Sequence, residues 1–310
     1  MHPAVDVVFH GHCPDGAVAA WMLSRAIQGP VRLLPYLHGG PLPEPVSDEV
    51  WVLDVAFSAE TLHTWADRCS RVFVLDHHQT SAAMLAGRID PLAVTLAHAV
   101  DPAFRGVGIS IAMEHSGAGL AAAAACALDP ATTVPDFVFD IEDRDLWRWD
   151  RAQSREVCAA VDAVANVDAL APEALFAVFD KLAGLDRTDL AAQGAPIIAA
   201  FGHRVDELCH AVRLLDIAGA TVPVVEVPEA RFGSEVGHRL LELHPNAPFS
   251  GYWYRAAEGA GLRIGLRSDD GRADVEQVAA RFGGGGHRNA SGLMCASLAE
   301  LATPPDCPRR

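Results

Sequence analysis

Residues 71–79, RVFVLDHHQ, run from a β-favouring apolar stretch straight into an acid and two adjacent histidines, Asp76, His77 and His78. Two other apolar runs end in a related way. VDVVFH at 5–10 opens into HGHCPDG at 10–16, which carries His10, His12, Cys13 and Asp15, and VWVLDV at 50–55 carries Asp54. Carboxylate and imidazole together form a ligand set for divalent first-row metals such as Mn²⁺, Zn²⁺ and Fe²⁺, and an oxygen-rich mixture leans toward Mn²⁺. Singly, each group has an ordinary reading. Adjacent histidines can sit on opposite faces of a strand end, Asp54 can be a turn acid, and Pro14 with Asp15-Gly16 can shape a turn. Their recurrence at successive strand ends is what favours a metal.

The elements that position these groups alternate. Strand-like runs begin at residues 5, 31, 50 and 71, and helix-like segments at 16–27 and 58–69 fill two of the gaps. Ser58 followed by Thr61 marks a helix start, without the acid of a full capping box. This is a βαβ pattern and predicts an open α/β sheet, in which ligands gather outside the carboxyl ends of the strands. A further apolar run at 106–113 leads into an Ala-rich segment, and residues 136–150 mix acids with arginines. Residues 186–215 read as a linking helix with one proline. Beyond it, strand-like runs at 220–227, 249–256 and 261–268 alternate with the helix-like SEVGHRLLELH and DVEQVAARF before GGGGH. The expected fold is therefore α/β. A parallel-sheet domain (1–185) is joined by a linking helix (186–215) to a smaller mixed α/β domain (216–302) and a tail (303–310), with the active site in the cleft between the domains.

Half of the 310 residues are hydrophobic, which predicts folded globular domains. The longest apolar stretch, around 118–128, is too short to span a bilayer. The N-terminus lacks the pattern of a secretion signal, and seven scattered cysteines do not make a disulfide framework, so the expected compartment is the cytoplasm. A net charge of −16 argues against a protein that grips long duplex nucleic acid, whose binding is driven by phosphate neutralisation. It leaves small phosphoesters open, since metals and a few arginines can supply a local positive field.

With Asp76-His77-His78, His10 followed by Asp15-Gly16, Asp54, an acid in IEDRDLW and GGGGHRNASG at 283–292, the chain resembles the DHH phosphoesterases with their associated C-terminal domain, including the nano-ribonucleases. The resemblance spans residues 5–292 in the family's order. It implies a two-metal site, with one metal on His10, Asp54 and Cys13, and the second on Asp15, Asp54, His77 and Asp143, Asp54 bridging. Asp140 and Asp145 are rivals to Asp143 that spacing does not separate. Asp76 is expected to orient a histidine and His78 to face substrate phosphate, with His12 facing solvent or a phosphate. Two divalent ions can share and activate a water and clamp both oxygens of an in-line phosphoryl displacement. Cys13 departs from the family, which commonly has an acid there; as a ligand it favours Zn²⁺ or Fe²⁺ over Mn²⁺, and otherwise it is a packing residue.

In the C-terminal part, Gly285 and Gly286 allow backbone N–H groups close approach to a phosphate, and Arg267, Ser268, His287 and Asn289 are the expected nucleotide contacts. Ser116 and His115 have both a phosphate-facing and a helix-start reading. Arg144, Arg148, Arg151 and Arg155 steer phosphates or form a salt-bridged face, and Trp147 and Trp149 stack on bases or join the core. The resulting expectation is a metal-dependent hydrolase of short oligonucleotides or small nucleotides, with no long duplex or membrane partner and a homodimer among the allowed states. Two alternatives stand beside it: an inorganic pyrophosphatase, which lacks a use for the glycine–histidine tail, and a nucleotide-binding regulator whose catalysis Cys13 impairs.

Overall fold

Short runs of Val, Leu, Phe and Trp, too brief for helices and hydrophobic on both faces, are the signature of strands buried inside a parallel sheet. The computed structural model describes residues 4–256 and 261–303. In chain order the first elements are β1 (Val5–His10), α1 (Pro14–Ala26), β2 (Val31–Tyr36), β3 (Glu49–Leu53), α2 (Ala59–Ala66), β4 (Arg71–Asp76), α3 (Gln79–Met84), α4 (Leu92–Val100) and β5 (Gly106–Ile111). The helices α5 (Gly117–Leu128), α6 (Asp136–Asp145), α7 (Ser154–Val164), α8 (Pro172–Ala183) and α9 (Arg187–Cys209) follow.

The five strands form one all-parallel sheet in the order β2-β1-β3-β4-β5. Alternate residues feed two apolar layers. Val7, Phe9, Trp51, Leu53, Phe73 and Leu75 pack with Leu23 of α1 and Leu120 of α5, while Val8, Val52 and Val74 pack with Leu62 and Trp65 of α2. The small residues of α1 and α5 let both helices lie close on one face. Ser58 caps α2 as anticipated, its Oγ accepting from Thr61 N–H at 3.2 Å. The edge strand β2 is pinned by Asp6, whose carboxylate accepts two bonds from Arg32 and others from the N–H groups of Val46 and Ser47 and from Ser47 Oγ.

The chain divides into two units, Met1–Ile198 and Ala199–Arg310. The segment expected as a linking helix over 186–215 is helical from Arg187 to Cys209, and Arg213 opens a strand. Tertiary pairing overrides local pattern here, because RLLDI is too short for its period to distinguish helix from strand. The second unit contains β6 (Arg213–Ile217), β7 (Ala220–Glu226), α10 (Gly233–Leu243), β8 (Ser250–Arg255), β9 (Leu262–Arg267), α11 (Val275–Ala280), β10 (Gly285–His287) and β11 (Ala290–Cys295). Its six-stranded sheet runs β10-β11-β9-β8-β7-β6 and is mixed, with β7 and β8 parallel and the other pairs antiparallel. Residues 304–310 of the expected tail lie outside the described residues. Among the described residues, no helix is long and apolar enough to cross a membrane.

Candidate metal centre

Because β2 lies at the edge, β1, β3 and β4 are immediate neighbours, and their carboxyl ends stand side by side about 4.8 Å apart. His10 closes β1, Asp54 follows β3, and Asp76-His77-His78 closes and follows β4. Asp54 takes a left-handed backbone, φ +58°, a conformation that costs a non-glycine residue about 1–3 kcal/mol and that Asp and Asn tolerate best. That turn aims a 2% exposed carboxylate at the row of strand ends, with its N–H still held by Leu75 O at 3.0 Å.

The two oxygens of Asp54 serve different sets of groups. Oδ2 lies 3.3 Å from His10 Nδ1, without the alignment of a hydrogen bond, and Oδ1 lies 3.1 Å from His77 Nε2. His10, Cys13 and Asp54 offer ligand atoms all within 4.8 Å of one another. A second set within the same reach is Asp15, His77 and Asp145, where His77 Nε2 stands 3.9 Å from Asp15 Oδ2 and 3.5 Å from Asp145 Oδ2. Asp15 is held by the start of α5: Gly117 N–H donates to its Oδ2 at 2.6 Å and Ala118 N–H to its Oδ1 at 3.0 Å. Glycine is obligatory at position 117, since a Cβ would stand 2.5 Å from Asp54 Cβ and 2.7 Å from Asp15 Oδ2.

Of the three candidate acids on α6, the one that lies in this cluster is Asp145, in place of the expected Asp143. Asp143 is buried away from the cluster and accepts from Asp150 N–H, Arg151 N–H and Ser154 Oγ. Asp140, the other rival, is clasped by Arg151 and by both nitrogens of the Arg187 fork. The helical period carried a usable signal: Asp140 and Asp143 lie three apart on the inward face with Phe137 and Ile141, whereas Asp145 ends the helix.

Electrostatics fit a cation. Burial, then the charges of Asp145 and Asp54, push the Asp15 carboxyl well above the usual range, and burial raises Asp145. Burial pushes Asp54 up too, but His10 and His77 beside it more than compensate and hold it well below. Burial lowers His77, yet the surrounding carboxylates carry it up to about 10. Three acids thus share too few counter-charges. Among the described residues a buried Asp54 oxygen has no hydrogen-bond partner, and a Cβ on Gly16 would come within 3.0 Å of it. Hard oxygen, imidazole and thiol donors around a glycine-cleared space suit one or two divalent ions.

Asp76 is fully buried, and its Oδ1 accepts from His77 N–H at 2.7 Å and lies 2.7 Å from His78 Nδ1. Burial lowers His78, and Asp76 outweighs it, lifting it to about 8. His38 joins the neighbourhood unforeseen: it follows β2 with its ring 6.0 Å from that of His10, and a lone histidine in a Gly-Pro loop has no spacing to betray it. His12 is not part of the cluster: it is exposed, and its Nδ1 lies 2.9 Å from Asp168 Oδ1. Ser116 caps α5 by accepting from Gly119 N–H at 3.3 Å, the helix-start reading. The arginines are engaged, Arg144 with Asp162, Arg148 with Glu114 O, Arg151 with Asp140 and Asp136, and Arg155 over the Trp149 ring.

The expected nucleotide contacts lie in the second unit. Arg267 donates to Ser234 Oγ and Tyr252 OH. Ser268 does not present its hydroxyl to a ligand: it is 1% exposed and donates to Ala273 O at 2.6 Å. Gly285, Gly286 and His287 are a strand of a hairpin, not a loose turn, pairing with Gly292, Ser291 and Ala290. Gly286 has φ +142°, and a Cβ would stand 2.6 Å from Ala290 O. Asn289 donates to Asp270 Oδ1 at 2.8 Å, which ties it to the neighbouring loop.

No protein-family model matches the chain. It is 25% identical, over 95% of its length and 68% of the other's, to the uncharacterized protein R106 of Acanthamoeba polyphaga mimivirus. In fold it is similar to RecJ from Thermus thermophilus, solved with Mn²⁺, at a TM-score of 0.50 and 16% identity over 96% of this chain. The chain spans 50% of that RecJ chain. It is also similar to the DHH domain of a member of a ribosomal-protein family, at a TM-score of 0.51 and 13% identity, covering 94% of this chain and 82% of that one. The fold is that of the DHH-domain proteins.

Proposed function

We propose that this chain is a metal-dependent phosphohydrolase of the DHH type that cleaves phosphoester bonds in short oligonucleotides or small nucleotides. One observation carries it: the Asp54 carboxylate turns one oxygen to His10, in the group with Cys13, and the other to His77, which is grouped in turn with Asp15 and Asp145. Two divalent ions, Mn²⁺ among them, would supply there the charge that activates a water and clamps the attacking and leaving oxygens. His10, Cys13, Asp15, Asp54, His77 and Asp145 would hold them.

The chain's own groups do the rest. The α5 N–H groups fix both oxygens of Asp15, so that carboxylate needs no reorganisation on binding. Asp76 orients His78 through the 2.7 Å contact, which keeps the imidazole a proton donor to a phosphate oxygen or a leaving alkoxide. In the second unit, Arg267, His287, Asn289 and the Gly285-Gly286 backbone are the proposed nucleotide-holding groups. The acidic total charge, −16, supports a short substrate over a long duplex.

The test is hydrolysis by metal-reconstituted protein on pApA, longer oligoribonucleotides, 3′-phosphoadenosine 5′-phosphate, cyclic dinucleotides and pyrophosphate. Metal-dependent cleavage of a nucleotide class is expected, and Asp54→Ala should abolish it with the circular dichroism spectrum unchanged. Turnover of pyrophosphate alone would replace the nucleotide substrate, and an active Asp54→Ala would remove the metal mechanism.

A further inference from the structure

The two ligand sets flanking Asp54 differ in chemistry. The first has a thiol, an imidazole and one carboxylate oxygen: Cys13, His10 and Asp54 Oδ2. The second has two carboxylates and one imidazole, Asp15, Asp145 and His77, with Asp54 Oδ1 joining it through His77 Nε2 at 3.1 Å. Cys13 stands directly before α1, whose first turn brings Asp15 into the second set, so one short segment feeds both positions. Gly16 clears the space between them: a Cβ there would stand 2.3 Å from His10 O and 3.0 Å from Asp54 Oδ2. That Asp54 oxygen is buried without a hydrogen-bond partner among the described residues and lies 3.3 Å from His10 Nδ1, in the residue group that includes Cys13.

We infer that the centre is chemically asymmetric, with a soft position at His10, Cys13 and Asp54 that takes Zn²⁺ or Fe²⁺ through a Cys13 thiolate, and a hard position at Asp15, Asp54, His77 and Asp145 that takes Mn²⁺ or Mg²⁺. This rests on the metal-dependent reading above and adds to it that the two ions differ. Thiolate selects Zn²⁺ and Fe²⁺ over Mn²⁺, while carboxylate-rich sites accept Mn²⁺ and Mg²⁺ readily. As the sulfur–metal bond forms, the thiol proton leaves to solvent. A pure Mn²⁺ preparation would then fill the hard position and leave the soft one weakly held.

The experiment is a Co²⁺ titration of the metal-free full chain, followed by absorption and by elemental analysis. A near-ultraviolet sulfur-to-cobalt charge-transfer band is expected to saturate at one equivalent. Zn²⁺ should erase that band stoichiometrically and Mn²⁺ should not. Cys13→Ser should lose the band, and Cys13→Asp should lose it while gaining at least tenfold in Mn²⁺ affinity, each with an unchanged circular dichroism spectrum. If Co²⁺ binds without the band, Cys13 is not a ligand and the asymmetry falls while the metal centre stands. A band that survives Cys13→Ser overturns the assignment equally, because another cysteine would be its source. Failure of Co²⁺, Zn²⁺ and Mn²⁺ alike to bind the intact chain would overturn both this inference and the proposed function.

Discussion

Asp145 faces His77 at the centre, whereas Asp143, two positions earlier on α6, accepts two backbone N–H groups and a serine hydroxyl in a buried cradle. Asp145→Asn should therefore weaken Mn²⁺ binding by at least tenfold in calorimetric titration while leaving the melting temperature of the metal-free protein unchanged or raised, since it removes charge from a crowded cluster. Asp143→Ala should deprive the buried Ser154 hydroxyl and two part-buried backbone N–H groups of their acceptor and cost about 1–3 kcal/mol in urea unfolding. Gly117 gives a second residue-scale prediction. Glycine inside a helix is ordinarily about 1 kcal/mol worse than alanine, yet here the added Cβ would meet Asp54 and Asp15. Gly117→Ala should lower both stability and metal affinity, and a more stable variant with intact binding would disprove the crowding.

At the scale of elements, the edge strand β2 depends on Asp6, which ties β1 to Arg32 and to the loop before β3. Burial would raise that carboxyl, but Arg32 and the Ser47 and Val46 donors outweigh it and hold it at about 2. The folded value lies below the unfolded one, so its contribution of about 2–3 kcal/mol is present above pH 4 and lost as pH falls through 2. Asp6→Asn should therefore be destabilised by that amount at pH 7 in urea melts, and the gap to the native sequence should close as the pH is lowered from 4 to 2. A gap independent of pH would mean that packing, not charge, holds β2.

For the whole molecule, His10, Cys13, Asp15, Asp54, His77 and Asp145 all lie in the first unit, Met1–Ile198, which has cores of its own. An ion at one hundred times its dissociation constant adds about 2.7 kcal/mol to the state that binds it, or roughly 5–10 °C for a unit of this size. Five of the six tryptophans, all but Trp253, also lie in that unit. Melting followed by tryptophan fluorescence should therefore rise with Mn²⁺, and chelation should reverse it. An unmoved tryptophan transition at saturating Mn²⁺ would place the binding elsewhere.

Much of the candidate centre was legible in the sequence because a ligand at a strand's carboxyl end is a local fact. The apolar run, its length and the acid or histidine that follows are all contiguous, as at His10, Asp54 and His77. The parallel sheet was legible for the same reason, since buried strands declare themselves by composition. What only the tertiary structure decided depends on contacts far apart in the chain. Placing β2 outside β1 is what makes β1, β3 and β4 neighbours and lets Asp54 reach His10 and His77 at once. The rotation of α6 decided Asp145 over Asp143, and the pairing of β6 with β7 decided where the long helix stops. Composition specifies which groups can bind a metal; only the packing of distant elements settles which of them share one.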